Sequence, residues 1–197
     1  MLKKIKSLFY YFFKFPFYKL TFGSIGMGTK LIYPILSGSK RIFIGANVFI
    51  QKNTWLAAVP LTGDVNCKLI IGDGTYVGHF CHFYATSKIE IGKKVLIANK
   101  VYISDNRHGY KNILLPVIDQ PVEQINAVVI GDGAWLGENV CVIGACVGKN
   151  SVIGANAVVT NDIPDYCVAV GTPAKIIKRY NFELKEWCKT DGDGNFI

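Results

Sequence analysis

The side chains best suited to acid–base chemistry near neutral pH are the three histidines of the chain, His79, His82 and His108. An imidazole, whose ordinary pKa is about 6.5, can exchange a proton at physiological pH, and it can also bind zinc. His79 and His82 occupy different places in one short repeat, so both cannot easily project to a single point. His108 follows Asp105-Asn106-Arg107 at the start of a long loop. A loop histidine is by default only solvated, so its chemistry depends on what positions it.

The chain that must position these histidines repeats with a period of six residues. Each unit has an aliphatic residue, then Gly or Ala, then two loosely specified residues, then a small or β-branched residue. Units begin at Ile44, Ile71, Ile91, Ile130 and Ile153. The aliphatic residue should fill a narrow core, while Gly, Asn and Asp suit tight corners. This period predicts a β-helix of stacked parallel strands, since sandwich strands would alternate between turns roughly 8–12 residues apart.

The predicted organisation is an all-β solenoid, a parallel β-helix, with additions at both ends and one insertion. Residues 1–20 are predicted to form an N-terminal amphipathic helix. Pro16 should end the helical segment that carries its apolar stripe. Residues 21–175 form the β-helix, interrupted by an inserted loop at 105–128. Residues 176–197 are predicted to be a C-terminal helix and tail. An insertion of this length in a compact repeat is usually functional.

The positive charge of the chain is an N-terminal feature. Nine Lys and Arg precede Asp64, the first acidic residue, although the net charge of the whole chain is only +8. A uniformly basic nucleic-acid face is therefore not expected. The N-terminal segment is too short and too charged to span a bilayer. Packing of its aromatic stripe on the coil or on a neighbouring subunit is favoured, and peripheral contact with an anionic membrane stays as the alternative.

The six cysteines form no C-x-x-C pair, and Cys81 falls at the small-residue position of a repeat, where a thiol is a compact apolar filler. They are predicted to be reduced, in a cytoplasmic protein that could also lie at the inner face of the membrane.

Three stretches resemble a known family. They are the histidine segment 105–108, the coil 134–140, and the ending at 158–164 followed by Gly171-Thr172-Pro173-Ala174-Lys175. Together they resemble the hexapeptide-repeat acyltransferases with a left-handed β-helix, in the branch of maltose and galactoside O-acetyltransferases that includes enzymes of surface-polysaccharide biosynthesis. The resemblance implies a left-handed, three-sided coil and a homotrimer with active sites between subunits. It also implies acetyl-CoA as the acyl donor, a sugar or glycan acceptor, and no metal.

The resemblance makes His108 the general base that takes the proton of an attacking hydroxyl group. Asp105 or Glu123 could bond the second ring nitrogen and fix the tautomer. Asp105 is equally suited to stabilise its own loop as a turn residue.

The resemblance also implies a groove for the acyl carrier. Trp135 would line it, backbone groups near Ala155 and Thr160 would hold the pantetheine arm, and cationic side chains would meet the CoA phosphates. The residues assigned to this groove are Trp135, Ala155, Thr160, Asn161, Lys175, Lys178 and Arg179. Asn161 stands where many relatives have lysine, which removes one phosphate contact. Alternatively, the lysine and arginine side chains of this set form a solvated basic surface that binds no phosphate.

The acceptor pocket should differ from that of the sugar acetyltransferases of this branch. They typically place an asparagine in the coil before the histidine coil, and the stretch 76–82 has none. His79, His82, Tyr84 and Arg107 are the candidate acceptor contacts.

Three alternatives to sugar O-acetylation remain open. The acceptor could be an amino group on a nucleotide sugar, which would make the chain an N-acetyltransferase. The three histidines could bind zinc as in γ-class carbonic anhydrases, although their spacing argues against it. The coil could also be a non-catalytic scaffold, which would leave the insertion bearing His108 unexplained.

Overall fold

The computed structural model describes residues 10–197, apart from the side chain of Tyr11. Its strands, numbered β1 to β22 along the chain, form three main sheets that we call faces 1, 2 and 3. Face 1 contains β1 (Ser24–Ile25), β4 (Ile42–Ile44), β7 (Lys68–Ile71), β10 (Lys88–Ile91) and β15 (Val128–Ile130). Face 2 contains β2 (Lys30–Leu31), β5 (Phe49–Ile50), β8 (Tyr76–Val77), β11 (Leu96–Ile97), β16 (Trp135–Leu136), β18 (Val152–Ile153), β20 (Cys167–Val170), β21 (Lys175–Asn181) and β22 (Glu186–Lys189). Face 3 contains β3 (Ile35–Ser37), β6 (Trp55–Ala58), β9 (His82–Ala85), β12 (Tyr102–Ser104), β17 (Cys141–Ile143) and β19 (Val158–Val159).

Apart from the arm strands β13 and β14, successive strands from β1 to β17 visit the three faces in turn, and each pairs in parallel with the strand one coil away. Strand β10, for example, lies between β7 and β15, with Ile89 opposite Leu69 on one side and Val128 on the other. This topology is a solenoid with a triangular cross-section, and it is consistent with the predicted left-handed β-helix. A sandwich would instead need antiparallel strands in two packed sheets.

The aliphatic residues that begin the repeats point into the coil. They are at most 2% exposed: Ile44, Ile71, Ile91, Ile130 and Ile153. Full burial of such a side chain contributes about 1.5–3 kcal/mol. The small position of the repeat is buried as well, and Thr75 there donates to the carbonyl of Gly92 and accepts from the amide of Val95. Side chains at this position therefore link neighbouring coils as well as filling the core.

The corners of the coil use residues that tolerate a left-handed backbone. Asn47, Asn139, Asn150 and Asn156 have φ between 50° and 61°, and Gly133 has φ of 70°. Asparagine and glycine adopt this region at low cost, which explains their spacing along the sequence.

The N-terminal helix differs from the prediction at Pro16. A π-helical turn, Tyr10–Lys14, leads into α1 (Phe15–Thr21), in which Pro16 lies in the first turn. Proline is accepted there because the first amides of a helix have no intrahelical partner. Pro16 therefore starts the α-helix instead of ending it. Residues 1–9 of the predicted stripe lie outside the described residues.

The predicted C-terminal helix is wrong. Residues 175–189 contain β21 and β22, an antiparallel hairpin that continues face 2 beyond β20. Strand β20 would otherwise end the sheet with unpaired amide and carbonyl groups, which the hairpin satisfies. Ile176, Ile177, Tyr180 and Trp187 are also residue types that favour strands. Pairing with an open sheet edge outweighed a weak helical spacing.

The inserted segment is an arm with a regular base. Strands β13 (Asn106–His108) and β14 (Val122–Gln124) pair antiparallel, with His108 opposite Val122. Between them lies a 3-10 turn at Val117–Asp119. The arm leaves after β12 on face 3 and returns to β15 on face 1, so it projects from the edge between these two faces.

The six cysteines are all free. Burial raises the pKa of both Cys67 and Cys81 to about 11, so these two thiols stay protonated and act as core side chains. Within residues 10–197, no helix has the length and apolar character needed to cross a membrane.

Candidate active site

His108 ends the first strand of the arm, and its side chain is exposed. The next residue, Gly109, is buried and donates from its amide to the carbonyl of Pro121 at 2.9 Å. A Cβ on Gly109 would lie 2.7 Å from that same oxygen, so a side chain there would force the two strands apart. The backbone beside His108 is therefore held in place by the neighbouring strand, while the imidazole of His108 is exposed to solvent.

Asp105 anchors the arm to the coil. It is fully buried, and one carboxylate oxygen accepts from the amide of Thr86 at 2.8 Å. The other oxygen accepts from the amides of Ser87 and Lys88 at 2.8 and 2.7 Å. Several donors of this kind stabilise a buried carboxylate without a cationic partner. Both oxygens are thus engaged with the turn between β9 and β10. Asp105 ties the arm to another coil, a role that differs from both the predicted turn residue of its own loop and the predicted partner of the His108 ring.

Gln124 extends this anchor, and the sequence analysis missed it. Its amide group donates to the carbonyl of Asp105 at 2.6 Å, while its oxygen accepts from the hydroxyls of Thr62 and Thr86, each at 2.8 Å. The two strands of the arm are therefore tied to the coil at the same point. Nothing in the local sequence distinguishes Gln124 from a solvated loop glutamine, because its partners come from other coils.

Glu123, the other candidate to orient His108, is paired with Arg107. The guanidinium group of Arg107 contacts one carboxylate oxygen at 3.0 and 2.9 Å, and Lys111 lies 3.9 Å from the other oxygen. The two residues are opposite each other in the hairpin register, and Arg107 also lies over the ring of Tyr110. Glu123 thus stiffens the arm by pairing with Arg107, whereas His108, the next residue of β13, points to the opposite face of the hairpin.

An aromatic cluster covers face 3 next to the base of the arm. The ring of His82 stacks on Trp55 with centroids 4.4 Å apart and an interplanar angle of 6°. Tyr84 and Tyr102 meet His82 edge-on at 5.8 and 5.3 Å. The carbonyl of Tyr84 accepts from the side chain of Asn106 at 3.0 Å, which joins the cluster to the arm. His82 and Tyr84 were predicted acceptor contacts, whereas Trp55 and Tyr102 were missed because only the coil register aligns them.

The burial of His82 favours the neutral form of its ring. Burial lowers its pKa below the ordinary value of 6.5, and its Nε2 atom is buried with no hydrogen-bond partner among the described residues. A charged imidazolium would leave a donor unsatisfied at this place. His82 is therefore an aromatic wall of the cluster at neutral pH.

His79 lies elsewhere, at the corner between faces 2 and 3. Its backbone amide donates to the side-chain oxygen of Asn99 at 2.8 Å, and it lines a shallow cavity of about 340 Å³ with Lys52, Lys100 and Glu138. The structure does not gather the three histidines. Within residues 10–197, no three His, Cys, Asp or Glu side chains are grouped to hold a metal ion.

Trp135 lies on face 2, opposite the edge from which the arm projects. It is 48% exposed and stands in a row with Leu96 and Val152 on the outside of the sheet. In a three-sided coil, face 2 and the edge between faces 3 and 1 point in opposite directions. One chain therefore does not bring His108 and Trp135 together.

The candidate carrier residues spread over the last coils. Ala155 is exposed at the corner between faces 2 and 3, and Thr160 at the corner between faces 3 and 1. Asn161 and Lys175 line a small cavity of about 150 Å³. The exposed side chains of Lys178 and Arg179 extend from the hairpin on face 2, and Arg179 lines a cavity of about 650 Å³ with Tyr166 and Phe182.

The site is therefore divided into two surfaces. The arm with His108 and the aromatic cluster occupy face 3 and its edge, whereas Trp135 and the cations of β21 occupy face 2 and the C-terminal end. The first surface offers an exposed base beside aromatic walls, and the second offers an apolar row that ends in positive charge.

Comparison with known proteins places this architecture in one class. The family profile described as "Hexapeptide repeat of succinyl-transferase" matches residues 127–161. A "Putative acetyltransferase" of Schizosaccharomyces pombe is 32% identical over 147 residues, which cover 73% of this chain and 70% of that protein. The chain belongs to the hexapeptide-repeat acetyltransferase family.

Two of the relatives are named for acetyl transfer in lipopolysaccharide biosynthesis or to galactosides. The "Putative lipopolysaccharide biosynthesis O-acetyl transferase WbbJ" of Escherichia coli K12 is 42% identical over 128 residues, covering 61% of this chain and 65% of that protein. A galactoside O-acetyltransferase of Lactococcus lactis is 34% identical over 147 residues, covering 72% of this chain and 66% of that protein. The chain spans between 53% and 65% of the length of the first curated relatives that it matches.

The fold itself recurs in solved structures. An N-acyltransferase from Bacillus cereus, in complex with dTDP and 3-hydroxybutyryl-CoA, superposes with a TM-score of 0.72 at 18% identity, covering 86% of this chain and 89% of that one. At this identity the likeness establishes the hexapeptide-repeat acyltransferase fold of this chain.

Proposed function

We propose that the protein transfers an acetyl group from acetyl-CoA to a sugar hydroxyl group of a surface-polysaccharide precursor, with His108 as the general base. The observation that carries this proposal is the exposed His108 on an arm that Asp105 and Gln124 fix to the coil. The relatives named for lipopolysaccharide biosynthesis and galactoside O-acetylation support the choice of a sugar hydroxyl. The place of the reaction is proposed to be the cytoplasm.

The proposed reaction needs no covalent enzyme intermediate. His108 accepts the proton as the acceptor oxygen attacks the thioester carbon, and a tetrahedral oxyanion forms. When that intermediate collapses, the carbon–sulfur bond breaks and the imidazolium ion returns the proton to the departing thiolate. The products are the acetyl ester and CoA. Arg107 is the proposed acceptor contact on the other face of the arm, and the aromatic cluster of Trp55 and His82 would contact the sugar.

The acetyl-CoA molecule is proposed to bind along face 2 of a neighbouring subunit in a homotrimer. Trp135 and its apolar row would contact the pantetheine arm near Ala155, at the corner between faces 2 and 3. Thr160, at the edge between faces 3 and 1, lies on the other side of the coil from this row and is left out of the proposed groove. Lys175, Lys178 and Arg179 would meet the phosphates, with Asn161 beside them. Two features support this assembly. His108 and Trp135 lie on opposite sides of one coil, and the arm exposes apolar side chains, among them Ile113 at 93% and Leu114 at 85%.

The direct test is His108→Ala, assayed for CoA release with a panel of sugar acceptors and for acetyl-CoA affinity by calorimetry. We expect turnover to fall at least about 100-fold, the usual contribution of a general base, with acetyl-CoA affinity unchanged. Lys175→Glu is the matched control and should weaken acetyl-CoA binding. Undiminished turnover in His108→Ala would remove the proposed mechanism.

An amino-sugar acceptor is the second candidate, because the N-acyltransferase from Bacillus cereus shares the fold. The acetylated product separates the two reactions, since alkaline hydroxylamine cleaves an ester and leaves an amide intact. A product that resists this treatment would assign the chain to N-acetylation.

A further inference from the structure

The helix at the first end of the coil is apolar on two opposite sides. Phe15, Tyr18 and Phe22 are at most 9% exposed and pack against the coil. On the other side, Phe17 is 61% exposed and Leu20 is 75% exposed, and Phe12 of the preceding turn is 70% exposed. A surface helix normally turns polar residues outward, and a helix that is apolar all round is covered by something.

Every charged residue of the chain segment that forms this end is basic. The described part holds Lys14, Lys19, Lys30, Lys40 and Arg41 near this end, and the sequence has no acidic residue before Asp64. The ammonium group of Lys14 lies 4.1 Å from the ring centre of Tyr33, which is itself 69% exposed. Exposed aromatic and aliphatic side chains are thus combined with positive charge, and no negative charge of this segment offsets it.

We propose that this end of the coil docks on an anionic lipid surface. Phe12, Phe17 and Leu20 enter the headgroup region, and the lysines around them contact the lipid phosphates. Apolar burial and electrostatic attraction add in such contacts, and neither alone gives stable binding. The helix then lies in the plane of the interface, and the axis of the coil points away from the membrane.

The charge decides between a lipid surface and a second copy of the chain. If two copies met through this end, they would oppose like charges, because every charged residue up to position 63 is basic. An anionic membrane supplies the opposite charge over the whole area. The inference is independent of the proposed acetyl transfer, although an enzyme held at a membrane would meet lipid-linked acceptors at high local concentration.

The experiment is co-sedimentation of the full chain with phosphatidylcholine vesicles prepared with and without phosphatidylglycerol. We expect binding at least about tenfold tighter with phosphatidylglycerol, and loss of that binding in high salt. The double variant Phe17→Ser/Leu20→Ser should reduce binding at least about tenfold, because two of the apolar side chains that enter the headgroup region are lost. Replacing Lys19 by Gln should reduce it by about fivefold.

The matched control is Phe182→Ser/Leu184→Ser, the same residue types, each 63% exposed, in the loop between β21 and β22. This variant should bind vesicles as the unaltered chain does. Thermal melting checks that both double variants fold, and sedimentation velocity reports their assembly. Equal binding to both kinds of vesicle, or none, would overturn the proposal. So would a change of assembly in Phe17→Ser/Leu20→Ser with unchanged lipid binding, which would assign the surface to contact between copies.

Discussion

At the scale of single residues, the two histidines of the proposed site differ in what surrounds them. His108 is exposed on the arm, where its imidazole is accessible to a substrate. His82 is packed against Trp55, and burial lowers its pKa. The same residue type therefore serves as a proposed base in one place and as an aromatic wall in the other, and only the packing separates the two roles.

The packing of His82 predicts a loss of stability in mild acid. In the unfolded chain, His82 binds a proton as the pH falls below 6.5, whereas the folded chain binds it only at lower pH. The unfolded state therefore gains protons first, and stability falls as the pH drops through that range. In His82→Phe, which keeps the stacking on Trp55, the change in Tm between about pH 7.5 and about pH 5.5 should be smaller than in the unaltered chain. An equal change would show that other groups control the acid sensitivity.

At the scale of elements, the arm depends on hydrogen bonds to a different coil. Strand β13 carries His108, but the turn that Asp105 binds lies between β9 and β10. Arg107 and Glu123 then pair across the two strands of the arm. The position of the proposed base is therefore determined by a carboxylate that does not need to touch the substrate.

Asp105→Asn should destabilise the arm. An amide can accept from Thr86, but its NH₂ group cannot accept from the amides of Ser87 and Lys88, which then remain unsatisfied. We expect a cost of about 2 kcal/mol and a decrease in Tm of about 4–8 °C.

The matched control for Asp105 is Asp73→Asn, because Asp73 is an exposed carboxylate that accepts from the amide of Ala46. The control should change Tm by less than half as much, since water can replace the lost bond. An equal decrease in Tm in both variants would show that the buried hydrogen bonds of Asp105 stabilise the protein no more than the exposed hydrogen bond of Asp73. Acetyl transfer should fall further in Asp105→Asn than in the control.

At the scale of the whole molecule, the two parts of the proposed site face in opposite directions on one chain. The arm with His108 leaves the edge between faces 3 and 1, and Trp135 stands on face 2. A neighbouring coil in the proposed homotrimer would bring the arm of one chain against the face 2 of another.

This arrangement predicts complementation between inactive variants. Chains with His108→Ala and chains with Trp135→Ala should each be nearly inactive as pure assemblies. After they are mixed, unfolded and refolded together, hybrid trimers should regain a measurable fraction of the activity, because some interfaces pair an intact His108 with an intact Trp135. Activity that stays at the level of the two parents would place both residues in the same part of the proposed site, and a monomeric sedimentation coefficient would remove the shared site.

Much of the fold could be predicted because its signal is local. The six-residue period places Ile71, Thr75 and Ile91 inside the coil without reference to any distant residue. The aromatic row of Trp55, His82 and Tyr102 could not be predicted, because it requires the register between coils. Excursions of unequal length between the strands conceal that register in the sequence.

The sequence by itself determined which residues face the core, where the insertion lies and that His108 belongs to it, since each of these follows from patterns within a few residues. Tertiary structure alone decided that residues 175–189 pair as strands with the open edge of β20 in place of a helix. It also decided that Asp105 binds the turn at Thr86, and that His108 and Trp135 are on opposite sides of the coil. These outcomes depend on partners far apart in sequence, whose contacts stabilise the chain only once the coils have stacked.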